Sequence, residues 1–175
     1  GGGLGRSPET QAAVNDFLAN INIPVVIDAD AIHAVAKNPG LLAGKKFLIT
    51  PHTYEFYILT GREVYQLPEE DRIKIVQEEA LRLKTTILLK GRIDIISDGQ
   101  EVALNRTGSP YLTKGGTGDT LAGLAGAYLA RGLSPFVAGQ AAAFVNGLAG
   151  QNAAQKLGES LMATDLIEAI VETIH

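Results

Sequence analysis

The chain has 175 residues, 46% hydrophobic, 19% charged and 6% aromatic, which supplies the core of one globular domain and excludes a disordered chain. A net charge of −4 argues against broad binding to nucleic acid or anionic membranes. Cysteine is absent, which removes disulfides, thiolate catalysis and Cys-zinc sites, and His33, His52 and His175 are too few for a His-rich metal centre.

Gly1 to Gly5 (GGGLG) reads as a flexible glycine-rich opening. Ser7, Pro8 and Glu9 form a helix start, with a capping hydroxyl, a proline at the first helical position and an acid in the first turn. That helix is predicted to reach about Asn20. Pro24 to Asp28 is a short apolar run suited to a strand buried on both faces, and Asp30 to Lys37 reads as a helix. Phe47 to Thr50 is a second buried strand ended by Pro51, and Thr53 to Leu59 a helix closed by Gly61. Pro68 to Lys84 is a charged amphipathic helix, most simply a surface one. Thr85 to Leu89 is a third strand, and Ile93–Ser97 with Glu101–Asn105 flank the hairpin turn Asp98-Gly99.

Asp119 to Ala130 reads as a small-residue helix ended by Gly132. Ser134-Pro135 starts a long helix to about Leu157, in which Ala141, Ala142, Ala143, Gly147 and Gly150 allow a close neighbour. The apolar stretch Leu133 to Gly150 contains Ser134, Pro135, Gln140 and Asn146, so it reads as a buried helix and not a membrane span. Thr164 is placed to cap a last helix to about Thr173. Alternating buried strands and helices predict an α/β domain with a mainly parallel sheet covered on both faces. Ligands of such sheets sit at the carboxyl ends of the strands. Asp28 with Asp30, His52 with Glu55 and Lys90 with Asp94 fall at those ends.

Gly115-Gly116-Thr117-Gly118-Asp119 stands directly before a helix. Glycines let successive N–H groups converge on an anion, and the helix N-terminus adds partial positive charge there. Asp119 in that position is either a general base acting on a hydroxyl beside a phosphoryl group or a helix-capping acid.

The segments VIDADAI (26–32), LITPHTYEF (48–56), LLKGRIDIISDG (88–99) and NRTGSPYLTKGGTGDTLAGLAGAYLARG (105–132), with GLG at 3–5, resemble the ATP/ADP-dependent NAD(P)H-hydrate dehydratases of the ribokinase-like superfamily. That resemblance implies a three-layer α/β/α, Rossmann-like domain over residues 1–175. It also implies that Gly116, Thr117 and Gly118 hold the transferred phosphoryl group and that Asp119 takes the proton of the attacked hydroxyl. His52 stands where sugar kinases of the superfamily carry Asn; the resemblance puts it, with Gly5 and Asp119, against the hydrated nicotinamide nucleotide. Its alternative role is to cap the following helix. Glu55 either serves Mg²⁺ through water or stabilises a first helical turn. Lys90, Gly91, Arg92, Ile93 and Asp94 are implied to line the adenine nucleotide site, the alternative being a solvated basic turn. Asp30 either caps the next helix or, with Asp28, meets substrate. His33 is expected to be structural and His175 a solvated terminus.

The implied co-substrate is ADP or ATP with Mg²⁺, and the implied reaction returns the S-epimer of NADHX or NADPHX to NADH or NADPH. Family members carry further chain before the GLG loop, so the sequence is expected to be a C-terminal portion of the domain. A cytoplasmic homo-oligomer, tetrameric by resemblance, is expected. A small-molecule kinase of the same superfamily and a non-catalytic nucleotide-binding subunit are the competing readings.

Overall fold

Ser7 accepts the Thr10 N–H at 3.2 Å and Pro8 follows it, so α1 (Pro8–Asn20) starts where its capping residues lie. The computed structural model describes residues 1–174. After α1 come β1 (Val25–Ile27), α2 (Asp30–Val35), β2 (Phe47–Ile49), α3 (Thr53–Thr60), α4 (Glu69–Leu83), β3 (Thr86–Leu89), β4 (Asp94–Ser97) and β5 (Val102–Asn105). Three helices complete the chain: α5 (Thr117–Ala130), α6 (Pro135–Leu157) and α7 (Ala163–Ile174). Several boundaries shift by one or two residues from the sequence reading, and two helix starts do so for a visible reason. Helix α5 begins at Thr117, because Gly116 turns into the left-handed region (φ 93°) and delivers the chain into the helix two residues before Asp119. Helix α7 begins at Ala163, and the cap is the Asp165 carboxylate, which accepts the Met162 N–H at 2.7 Å, in place of Thr164. His175 lies outside the described residues.

The strands form one sheet in the order β1-β2-β3-β4-β5. β1, β2 and β3 run parallel, with Val26 opposite Leu48 and Ile49 opposite Ile87. The hairpin then adds β4 and β5 antiparallel, with Leu88 opposite Ile96 and Ile96 opposite Ala103. The sheet is therefore parallel where the crossovers are helical and antiparallel where the Asp98-Gly99 turn connects it.

The period of two along each strand separates the core into two layers. Ile27, Phe47, Ile49, Ile87, Leu89 and Ile95 face α1 to α4, where they meet Leu18, Ile32, Val35, Phe56, Leu59, Val76, Ala80 and Leu83. Leu48, Leu88 and Ile96 face the other way, onto Leu121, Ala125 and Leu129 of α5 and Ala138, Ala142 and Ala143 of α6. Each fully buried aliphatic side chain contributes about 1.5–3 kcal/mol, so the strand residues anchor both layers. Helix α7 covers α6 through Ala149, Ala153, Leu166 and Ala169. No helix among the described residues is long and apolar enough to cross a membrane.

The small residues of α6 serve the close approach read from the sequence. A side chain at Gly147 would lie 2.8 Å from the Thr107 carbonyl carbon and oxygen, backbone that cannot swing aside. Gly147→Ala gains up to about 1 kcal/mol of helix propensity but overpacks this crossing by about 1–3 kcal/mol. We expect net destabilisation in chemical denaturation, with an unchanged or raised midpoint as the contrary result.

Candidate active site

Three parallel strands deliver their following residues to one end of the sheet. Asp28 follows β1, and its buried carboxylate accepts the Thr50 hydroxyl from the end of β2 at 2.7 Å. Lys90 follows β3; its N–H donates to Pro51 O at 2.8 Å and its ammonium reaches back to Asp28 Oδ1, also at 2.8 Å. Glu55 Oε2 lies 3.9 Å from the same ammonium. One member of each of the three pairs read separately from the sequence, Asp28, Glu55 and Lys90, thus meets the others at the Lys90 ammonium.

His52 and Glu55 also hold each other. His52 Nδ1 accepts the Tyr54 and Glu55 N–H groups at 3.2 Å, and Glu55 Oε2 accepts the His52 N–H at 2.9 Å, a reciprocal cap on α3. The capping reading of both residues is therefore realised. It leaves His52 Nε2 directed toward Glu55 Oε1 at 3.4 Å, with the His52 side chain half exposed.

Asp28 and Asp30 part company at Ala29, whose backbone takes φ 51° and ψ −120°. Asp30 makes no cap on α2. Its carboxylate accepts the Gly5 N–H at 3.0 Å and the Arg6 Nε–H at 2.7 Å, which ties down the glycine-rich opening. That opening lies against α5, with the side-chain position of Gly2 3.7 Å from Asp119 Oδ1.

The GGTGD turn is built to leave N–H groups free. Asp119 N and Thr120 N turn back to Gly116 O, at 3.1 and 3.2 Å. Among the described residues the N–H groups of Gly115, Gly116 and Gly118 have no acceptor. Thr117 is buried, and its hydroxyl donates to Leu112 O and Lys114 O at 2.7 and 2.9 Å, so its side chain braces the turn from behind. Gly116 lies under the start of α7, where a side chain would come within 2.8 Å of Ala163 Cβ. Asp119 is exposed, and among the described residues its carboxylate has no hydrogen-bond or ion-pair partner. Lys90 Nζ lies 3.7 Å from the side-chain position of Gly118. One ammonium and a set of unpaired N–H groups therefore border the same space, with the Asp119 carboxylate beside it.

The Lys90–Asp94 turn is less uniformly open. Gly91 and Arg92 are exposed, but Ile93 is buried. Asp94 accepts the Gly91 N–H at 3.0 Å and the Asn105 amide at 2.9 Å, bracing the turn from within. Burial pushes the Asp94 carboxyl above the usual carboxylate range, against those hydrogen bonds. The Arg6 guanidinium, together with the Gly5 N–H, holds Asp30 below it. Sequence reasoning missed Thr50, Arg6, Asn105 and Arg72 of α4. The Arg72 Nε is buried without a partner among the described residues, and its Nη2 lies 2.9 Å from the side-chain position of Gly91. Thr50 and Asn105 lie inside segments quoted above and Arg6 and Arg72 outside them, but nothing local in the sequence shows that these side chains reach the strand ends.

These residues do not build a cage for a resident cation: no group of three His, Asp or Glu side chains suited to a metal occurs among the described residues. Glu55 Oε2 accepts the His52 N–H and faces Lys90, and Oε1 lies 3.4 Å from His52 Nε2.

The sequence profile of the NAD(P)H-hydrate dehydratase family matches residues 1–172. The chain belongs to that family. It is 47% identical over 177 residues to a bifunctional NAD(P)H-hydrate repair enzyme of Pyrobaculum aerophilum, covering all of this chain and 34% of that protein. It is 42% identical over 169 residues to an ADP-dependent (S)-NAD(P)H-hydrate dehydratase of Cenarchaeum symbiosum, covering 96% of this chain and 58% of that one. The chain thus spans about a third to under two thirds of the curated relatives it matches. Its structure superposes on the ADP/ATP-dependent NAD(P)H-hydrate dehydratase of Bacillus subtilis, co-crystallised with ATP/Mg²⁺, with a TM-score of 0.81 at 30% identity, over 98% of this chain and 61% of that one. The fold is ribokinase-like, as expected.

His33 lies on α2, near the charges of Arg6, Glu55, Asp30 and His52. Its Nε2 is buried without a partner among the described residues, and burial, then the Arg6 charge, lower its pKa from 6.5. A lowered folded pKa means the unfolded chain takes up the proton first as pH falls. His33 therefore contributes fully above about pH 6.5 and loses that contribution below it. We expect the melting temperature to fall from about pH 7 to about pH 5, and His33→Gln to flatten that slope; equal slopes would contradict the assignment.

Proposed function

We propose that the chain carries the catalytic centre of a nucleotide-dependent dehydratase acting on the S-epimer of NADHX or NADPHX. The observation that carries this reading is the meeting of Lys90, the unpaired N–H groups of Gly115, Gly116 and Gly118, and the Asp119 carboxylate at one end of the sheet. Asp119 takes the proton of the hydroxyl on the reduced ring. That oxygen attacks the terminal phosphorus of ADP or ATP, and the bond to the bridging oxygen breaks, releasing AMP or ADP. The ring phosphate ester then expels inorganic phosphate as the neighbouring ring carbon loses a proton, which restores the double bond. Phosphate leaves readily where hydroxide does not, which is why a nucleotide is consumed. The free N–H groups and Lys90 meet the charge on the transferred phosphoryl oxygens.

Gly5, His52 and Asp119 are proposed to face the nicotinamide nucleotide, and Lys90, Gly91, Arg92, Ile93 and Asp94 the adenine nucleotide. Of that last group, Ile93 and Asp94 act by shaping the turn, given their burial and bonding. Where Mg²⁺ accompanies the nucleotide, Glu55 would meet it through water, and the ion would neutralise phosphate charge. A reaction that draws on ADP or ATP and reduced nicotinamide nucleotides needs a compartment holding both, and we propose the cytoplasm.

A homo-oligomer, tetrameric by family resemblance, is also proposed. Exposed Val137 and Phe144 of α6 beside Leu104, and exposed Ile167 and Val171 of α7, support it. Light scattering of the whole protein at micromolar concentration is expected to give a multiple of the chain mass; a monomer would overturn this.

Asp119→Asn keeps the shape at the start of α5 but cannot accept the proton. ADP-dependent recovery of NADH absorbance from its hydrate is expected to fall about 10²–10⁴-fold. Nucleotide affinity should hold or tighten, since a negative charge beside phosphate is removed, and stability should change by no more than about 1 kcal/mol. Near-normal turnover would remove Asp119 from the chemistry. A stable phosphoester product, without release of phosphate, would identify a kinase.

A further inference from the structure

Lysine is a poor fixed point. Its four-carbon stem loses about 1.5–2 kcal/mol of rotamer freedom when held, and an ammonium beside a helix N-terminus is repelled by the partial positive charge there. Lys90 nevertheless points at the start of α5, 3.7 Å from the side-chain position of Gly118. What holds it is Asp28. One carboxylate oxygen, Oδ1, receives both the Lys90 ammonium at 2.8 Å and the Thr50 hydroxyl at 2.7 Å. Thr50 thereby fixes the oxygen that fixes the lysine. Glu55 adds charge from the flank at 3.9 Å, beyond a hydrogen bond. An ammonium has three N–H groups, and among the described residues Asp28 supplies its one hydrogen-bond acceptor.

The backbone supports this use of Asp28. Ala29 sits in a region of φ and ψ that costs an alanine energy, and the turn there sends Asp28 toward Lys90 while Asp30 goes to Gly5 and Arg6. Such strain persists only where the surroundings over-determine it.

We propose that Asp28 is a positioning residue that acts through Lys90. It anchors the ammonium at the rim of the GGTGD turn and leaves an N–H for the phosphoryl group of the nucleotide, with Thr50 holding Asp28 in place. This rests on the nucleotide reading above, and the two are separated by one set of measurements on the whole protein.

ADP affinity by calorimetry, ADP-dependent turnover and melting temperature are compared for wild type, Lys90→Met, Asp28→Asn, Thr50→Val and the double variants with Lys90→Met. Lys90→Met is expected to weaken ADP binding about 10- to 100-fold, the range of a lost charge-assisted hydrogen bond. Asp28→Asn is expected to weaken it in the same direction, and Thr50→Val less so. In the Lys90→Met background both effects should vanish, because the side chain they orient is gone. If Asp28→Asn does not fold, Thr50→Val carries the same test. Equal losses with and without Lys90, or unchanged ADP affinity in both Asp28→Asn and Thr50→Val, would overturn the proposal. Wild-type protein that binds neither ADP nor ATP would overturn the nucleotide reading itself, and the positioning role with it.

Discussion

An ammonium from the end of β3 reaches across β2 to a carboxylate at the end of β1, and the candidate site is organised around that pair. Both charges are largely withdrawn from water, with the Asp28 side chain 6% and the Lys90 side chain 21% exposed. Burying two charges is costly unless each is closely paired and hydrogen-bonded, which makes the Thr50 hydroxyl on Asp28 part of the same unit. The pair stitches together loops far apart in the chain. It also places a positive charge where the sheet's parallel strands all end, the edge at which α/β sheets bind ligands.

The second half of the site is held by packing more than by charge. The GGTGD turn is braced from behind and above. Thr117 is bonded behind it, Lys114 donates to Leu161 O at 2.9 Å, and Ala163 closes over Gly116. The small residues of α5 and α6 let those helices lie close against Leu48, Leu88 and Ile96. The start of α5 is thus set against the sheet, at the level of Lys90. A loose helix there would leave Asp119 and the turn without a fixed relation to the strand ends.

Membership of the NAD(P)H-hydrate dehydratase family and the arrangement of these residues bear on each other. His52 caps α3 and still presents a half-exposed ring edge, so its structural and ligand-facing readings are compatible. Glu55 completes the cap, faces Lys90 with one buried oxygen and turns the other toward His52 Nε2. Asp94 is different, since its carboxylate is spent on Gly91 and Asn105. Its part in any nucleotide site is to set the shape of the turn.

Much of this was legible in the sequence because it is local. Short apolar runs bounded by Pro, Gly and Asp marked β1, β2 and β3, and Ser7-Pro8 and Ser134-Pro135 marked two helix starts. GGTGD marked the glycine turn that leads into α5, since glycines allow the conformation in which successive N–H groups converge. Tertiary structure alone decided the rest. Asp30 had the spacing of a helix cap but meets Gly5 and Arg6, 25 and 24 residues away. Asp28 and Lys90 are 62 residues apart. They meet only because the order β1-β2-β3 brings their strand ends together on either side of Thr50. Capping and turns depend on neighbours along the chain, which a sequence displays. An ion pair across a sheet depends on which strands are adjacent and where they stop, and both are set by how the two faces of the sheet are buried.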